Sequence, residues 1–91
     1  MTSVRAKFRF CGVKTEVGQR RKPSDGQWEE GKIYTLEFRA VAQSDKEAPE
    51  NKLFWDASPF GTIMMGCVNE EAAKQFTIGK YYYVDFSEAP A

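Results

Sequence analysis

Residues 4–11 alternate without a break: Val4, Ala6, Phe8 and Phe10 fall on one side, and Arg5, Lys7, Arg9 and Cys11 on the other. Period-two alternation over eight residues specifies a strand with one face in a core and the other toward water. The water-facing side carries three cations in a row, so whatever the chain builds begins with a charged sheet surface. With 91 residues, 42% of them hydrophobic and 14% aromatic, the chain has enough apolar material for one core and one domain, residues 1–91. That composition argues against disorder over most of its length.

The periodicity stops after Cys11. From Lys14 to Glu30 the chain holds Gly18, Pro23, Ser24, Asp25, Gly26 and the basic run Arg20-Arg21-Lys22, which reads as a mobile loop, 14–30, or a hairpin tip. Alternation resumes from Lys32 to Ala42, with Tyr34, Leu36, Phe38, Ala40 and Ala42 on one face and Ile33, Thr35, Glu37, Arg39 and Val41 on the other. Residues 43–51 are polar, include Pro49, and predict a second flexible loop. Lys52–Ala57 and Thr62–Val68 read as short strands, joined as a hairpin through Ser58-Pro59-Phe60-Gly61. Asn69 followed by Glu70 and Glu71 is helix-start chemistry, a cap and two anions at the positive end of a helix dipole, and predicts a short helix through Phe76 that ends at Gly79. Lys80–Phe86 closes the chain as a strand with Tyr82, Val84 and Phe86 inward and Tyr81, Tyr83 and Asp85 outward.

Five strands and one short helix predict an all-β fold, a small five-stranded antiparallel barrel or rolled sheet of OB-like or SH3-like type. The helix precedes the last strand rather than lying between the third and fourth, a departure from the usual OB order.

The chain has no histidine, which removes Ser-His-Asp and Cys-His catalysis and every histidine metal site. Cys11 and Cys67 are far apart and form no CxxC pair, so they read as free buried thiols. The glycines are scattered singly, with no phosphate-cradling loop. The expectation is a protein without catalytic residues, metal or cofactor. No run approaches the roughly 18 apolar residues that cross a bilayer, and charges stand where a signal peptide would be apolar. No membrane partner, no small-molecule substrate and no secretion are expected.

Thirteen basic residues balance thirteen acidic ones, but unevenly: residues 1–46 hold ten against six, and residues 47–91 three against seven. A neutral chain with a basic half and an acidic half is suited to binding a copy of itself or an acidic partner by one face.

Glu50-Asn51-Lys52-Leu53-Phe54, Ala57-Ser58-Pro59-Phe60-Gly61, Val68-Asn69-Glu70-Glu71-Ala72 and Phe76-Thr77-Ile78-Gly79-Lys80-Tyr81-Tyr82-Tyr83-Val84-Asp85-Phe86 occur in that order. Over residues 50–91 the chain resembles a group of short proteins encoded by tailed bacteriophages. The motifs are turns, a cap and a closing strand, so the resemblance implies a phage origin, in the virion or the host cytoplasm, and assigns no functional residue.

Three functions fit these features. The first is a non-enzymatic phage structural or accessory protein, such as a capsid-decorating or capsid-stabilising subunit, contacting itself or another phage protein through Arg5, Lys7, Arg9, Tyr81 and Tyr83. The second is a single-stranded nucleic-acid-binding OB-like protein using Arg5, Lys7, Arg9, Lys14, Arg20, Arg21, Lys22 and Trp28, a basic stripe with an aromatic beside it. The third is a phage inhibitor of a host protein.

Overall fold

The first strand is more than twice as long as its alternation suggests. In a computed structural model, which describes residues 4–41, 49–55 and 58–91, β1 runs Val4–Arg21 and β2 runs Trp28–Ala40. They pair antiparallel from Phe8↔Ala40 to Arg21↔Trp28. The segment expected to be a mobile loop or a hairpin tip, 14–30, is the far end of a hairpin, with both arms in strand and the turn confined to 22–27. Lys22 N donates to Gln27 O (2.8 Å), Gly26 N donates to Lys22 O (3.0 Å), and Gln27 N donates to Asp25 Oδ1 (2.9 Å). Pro23 pre-sets its own φ, and Gly26 takes φ 75°, where a Cβ is disfavoured.

The sheet is completed by β3 (Thr62–Val68) against β2 and β4 (Tyr81–Phe86) against β1, giving the order β3-β2-β1-β4, all antiparallel. The fold is mostly β as expected, but among the described residues four strands in one open sheet stand where a five-stranded barrel or rolled sheet was expected. The missing strand is Lys52–Ala57: Pro49–Phe54 is a helix, α1, residues 56–57 lie outside the described residues, and β3 pairs with β2 instead of forming a hairpin. Of the expected loop 43–51, residues 43–48 also lie outside the described residues, and 49–51 belong to α1. The short helix expected after Asn69 is present as α2 (Glu70–Ala73), with Asn69 Oδ1 accepting from Ala72 N (2.8 Å). Gly79 makes the exit turn at φ 89°.

The inner face carries the core: Ala6, Phe8 and Phe10 from β1, Leu36 and Phe38 from β2, and Ala73 from α2. Phe10, Phe38, Phe76 and Tyr82 pack tilted or edge-on, with centroids 4.9–6.4 Å apart, the geometry in which ring quadrupoles attract. Tyr82 also accepts a hydrogen bond from Thr77 N at its hydroxyl (2.8 Å), so its polar end is satisfied. Phe86, expected inward, is half-exposed and stacks on Phe54 of α1.

Asn51 holds α1 in place. It is 1% exposed; its Oδ1 accepts from Lys7 N (2.6 Å), and its Nδ2 donates to Lys7 O (2.8 Å) and Val41 O (3.2 Å). Lys7 O also accepts from Val41 N (3.2 Å), so the groups that depend on the Asn51 amide are Lys7 N–H and Val41 C=O.

Beyond Thr15↔Tyr34 the hairpin has no third strand beside it and stands as a two-stranded arm. The radius of gyration, 16.1 Å, reflects this; a compact chain of this length would give about 12 Å.

Candidate interaction surface

The face of the sheet opposite the core is built on Arg5, Lys7 and Arg9. β4 sets Asp85, Tyr83 and Tyr81 directly opposite them, and β2 sets Arg39 opposite Arg9. The Arg5 guanidinium grips Asp85 with two contacts, Nε–Oδ1 at 2.6 Å and Nη2–Oδ2 at 3.3 Å, and lies over the Tyr83 ring at 4.5 Å. Lys7 Nζ lies over the Tyr81 ring at 5.2 Å. The two ring contacts are diagonal across the strands, within reach of long side chains, whereas Arg5 and Asp85 are directly opposite. The hydrogen bond to Asp85, then its charge, holds the Arg5 guanidinium above its ordinary pKa.

A β-bulge decides what joins this surface. Between Phe10 and Gly12 the register shifts by one, leaving Cys11 extra, so that Lys14, Glu16 and Arg20 fall on the same side of the ladder as Arg5, Lys7 and Arg9. Of the residues considered for nucleic acid, Arg5, Lys7, Arg9, Lys14 and Arg20 thus share a side. Arg21 and Trp28 pair on the opposite side, the Arg21 guanidinium 5.3 Å over the indole, and Lys22 lies in the turn. The eight do not form one stripe.

Most of the cations on that side already have an acidic neighbour. Lys14 bonds Glu16 (2.7 Å), which raises its pKa first through the hydrogen bond and then through charge; Arg20 meets Glu29 (3.6 Å) and Arg39 meets Glu37 (3.0 Å). Arg9 differs: its side chain makes no ion pair or hydrogen bond among the described residues, and its cross-strand neighbours are Arg39 and Tyr81. Two like charges directly opposite on a sheet are unfavourable. Arg9 therefore stands as an unanswered cation among the described residues, set against Arg39 and beside the half-exposed ring of Tyr81. Arg39 does not stand out in the sequence, since β2's alternation marks it only as outward; the pairing register brings it to Arg9.

Apolar groups extend the surface. Met64 of β3 is opposite Glu37 on the same side and is 64% exposed, while Met65 faces the core side. On that core side Ile63, Met65, Phe76, Tyr82 and Val84 line a cleft of about 350 Å³ over Phe38. Neither cysteine is buried as expected: Cys11 is half-buried at the bulge, Cys67 is exposed with φ 57°, and both are free. Among the described residues no cluster of three or more Cys, Asp and Glu side chains could hold a metal ion, and no helix is long and apolar enough to cross a membrane. No known protein family, curated protein or solved structure matches the chain.

Proposed function

We propose that this chain is a non-enzymatic structural or accessory protein that works by being covered: its sheet docks on other protein. One observation carries the reading. Among the described residues seven hydrophobic side chains are buried, while thirteen large ones, including Trp28, Phe60, Met64, Tyr81 and Tyr83, stay exposed. Scattered apolar groups are ordinary on a surface; here they lie on both faces of the sheet and along the arm, more than a free monomer has use for. The resemblance of residues 50–91 to phage proteins supplies a setting, a virion or its assembly, in which a small decorating or stabilising subunit has such a surface. The test is a photo-crosslinking amino acid placed at Tyr83, with Thr77 as control, in cells producing the chain's natural partners. A protein adduct at 83 and none at 77 supports docking; no adduct, or adducts equal at both sites, refutes it.

A second reading, binding of single-stranded nucleic acid, is favoured by one feature: Arg9 has no acidic partner among the described residues and sits opposite Arg39, beside the half-exposed ring of Tyr81. Phosphates would relieve the Arg9–Arg39 repulsion and bases could stack on the ring. It predicts a nucleic-acid adduct at position 83 and oligonucleotide affinity that falls steeply with salt; affinity indifferent to salt refutes it.

A further inference from the structure

Edge strands are ordinarily blunted by charge, proline or shortness, because their unpaired backbone groups template pairing with another chain. The sheet has two edges, β3 and β4. β4 carries Asp85, and β1 and β2 are rich in charge; β3, Thr62-Ile63-Met64-Met65-Gly66-Cys67-Val68, has neither charge nor proline. Its register also fixes which groups are free. Ala40 N donates to Gly61 O (3.0 Å), and Phe38↔Ile63 and Leu36↔Met65 continue that phase. Antiparallel ladders alternate, so Thr62, Met64 and Gly66 turn their N–H and C=O away from β2 and outward.

We infer that β3 pairs antiparallel with β3 of a second copy about a two-fold axis through Met64. The inference deepens the proposed docking function by naming one partner, and it is tested apart from it. A two-fold contact places each patch against itself, so a charged edge repels its own copy and a neutral one does not. Among the four strands β3 alone meets that condition. The axis at Met64 sets Met64 against Met64, Ile63 against Met65, and Thr62 against Gly66. The outward-facing Met64 then becomes a hydrogen-bonded pair with its copy, and Thr62 meets Gly66 where the bulge begins. Apolar side chains meet on both sides: Ile63 and Met65 toward the core side, and Met64, 64% exposed in the single chain, on the outer side. The bulge at Gly66–Cys67 bounds the paired segment and leaves Thr62–Met65 regular.

The experiment is particle mass by light scattering for the wild type and for Met64→Lys. Met64 is exposed and its peptide groups point away from β2, so the lysine fits the single chain while setting two ammonium groups against each other across the axis. The expected masses are twice the chain's 10.4 kDa for the wild type and one chain for the variant, with unchanged circular dichroism. Met64→Cys in a Cys11→Ser, Cys67→Ser background is the second arm. Opposed Cα atoms in a hydrogen-bonded pair are about 5.5 Å apart, within disulfide reach, so oxidised glutathione should convert this variant to a covalent dimer. A wild type with the mass of one chain, a lysine variant that remains double, or a cysteine variant that stays monomeric overturns the pairing. A failed crosslink at Tyr83 would instead overturn the docking reading and leave these masses unaffected.

Discussion

Asn51 is where sequence, local structure and stability meet most directly. Replacing it with alanine removes three hydrogen bonds. Lys7 O keeps Val41 N as a partner at 3.2 Å, so two groups are stranded: Lys7 N–H and Val41 C=O. An unsatisfied buried polar group costs about 1–3 kcal/mol, and the Lys7 end is only half-buried, so the expected loss is about 2–4 kcal/mol. A chain of this size has a total of about 5–14 kcal/mol. Asn51→Asp should be worse near neutral pH, because it aims a carboxylate at two carbonyl oxygens in a site that is 1% exposed. Burial without a cation raises that carboxyl's folded-state pKa above its unfolded value of about 3.9. The extra penalty is therefore complete above the raised folded-state value, shrinks as pH falls from there, and is gone below about 3.9, where the protonated form is a donor in both states. Urea unfolding followed by tryptophan fluorescence measures both, with Leu53→Ala, at a side chain 91% exposed on the same helix, as control. An Asn51→Ala variant within about 0.5 kcal/mol of that control, the range of ordinary surface changes, refutes the reasoning.

Other perturbations give separate readouts. Asn69→Ala removes the acceptor for Ala72 N and should cost about 1 kcal/mol in urea unfolding, with Asn69→Ser restoring most of it. Arg9→Glu replaces a like-charge neighbour of Arg39 with an opposite one and should stabilise the fold by about 0.2–1 kcal/mol while weakening any contact made by the outer face; destabilisation would show that Arg9 serves the fold itself. If β3 pairs as inferred, the thermal midpoint rises with protein concentration for the wild type and not for Met64→Lys, as scanning calorimetry over a dilution series would show.

The parts of the fold legible in the sequence were those with a buried face. Phe8 and Phe10, Leu36 and Phe38, and Tyr82 and Val84 alternate because every second residue enters the core. The cap at Asn69 was legible because its hydrogen bond closes within three residues. The arm was not: beyond Thr15 no third strand lies beside the ladder, so charged residues occur on both of its sides, and the bulge at Cys11 shifts the phase by one residue. α1 read as a strand because Leu53 and Trp55 alternate, whereas its conformation is held by Asn51 against Lys7, 44 positions away. The candidate surface shows the same division. That Arg5, Lys7 and Arg9 face outward follows from alternation; that Arg5 belongs to Asp85 and that Arg9 confronts Arg39 follows only from register.

That register changes what the basic strand signifies. Three outward cations suggest a uniform positive stripe, but Arg5, Lys14 and Arg20 are answered by acids of the same sheet, and their removal would chiefly disturb the sheet. The surplus is local, at Arg9, where the like charge of Arg39 faces it and a partner's negative charge has something to relieve. Pairing through β3 leaves that site open, because it uses the opposite edge from Tyr81 and Tyr83. A two-fold axis perpendicular to the joined sheet also presents both copies of the site on one side. A partner with repeated acidic groups would then bind two sites at once, with an apparent affinity up to 10²–10⁴ times that of one. Met64→Lys should remove that gain by separating the two copies without lowering the single-site affinity, and Arg9→Glu should lower the single-site affinity itself. Equal losses from the two variants would mean that the edge and the face are one surface, and the separation argued from the strand order would fall.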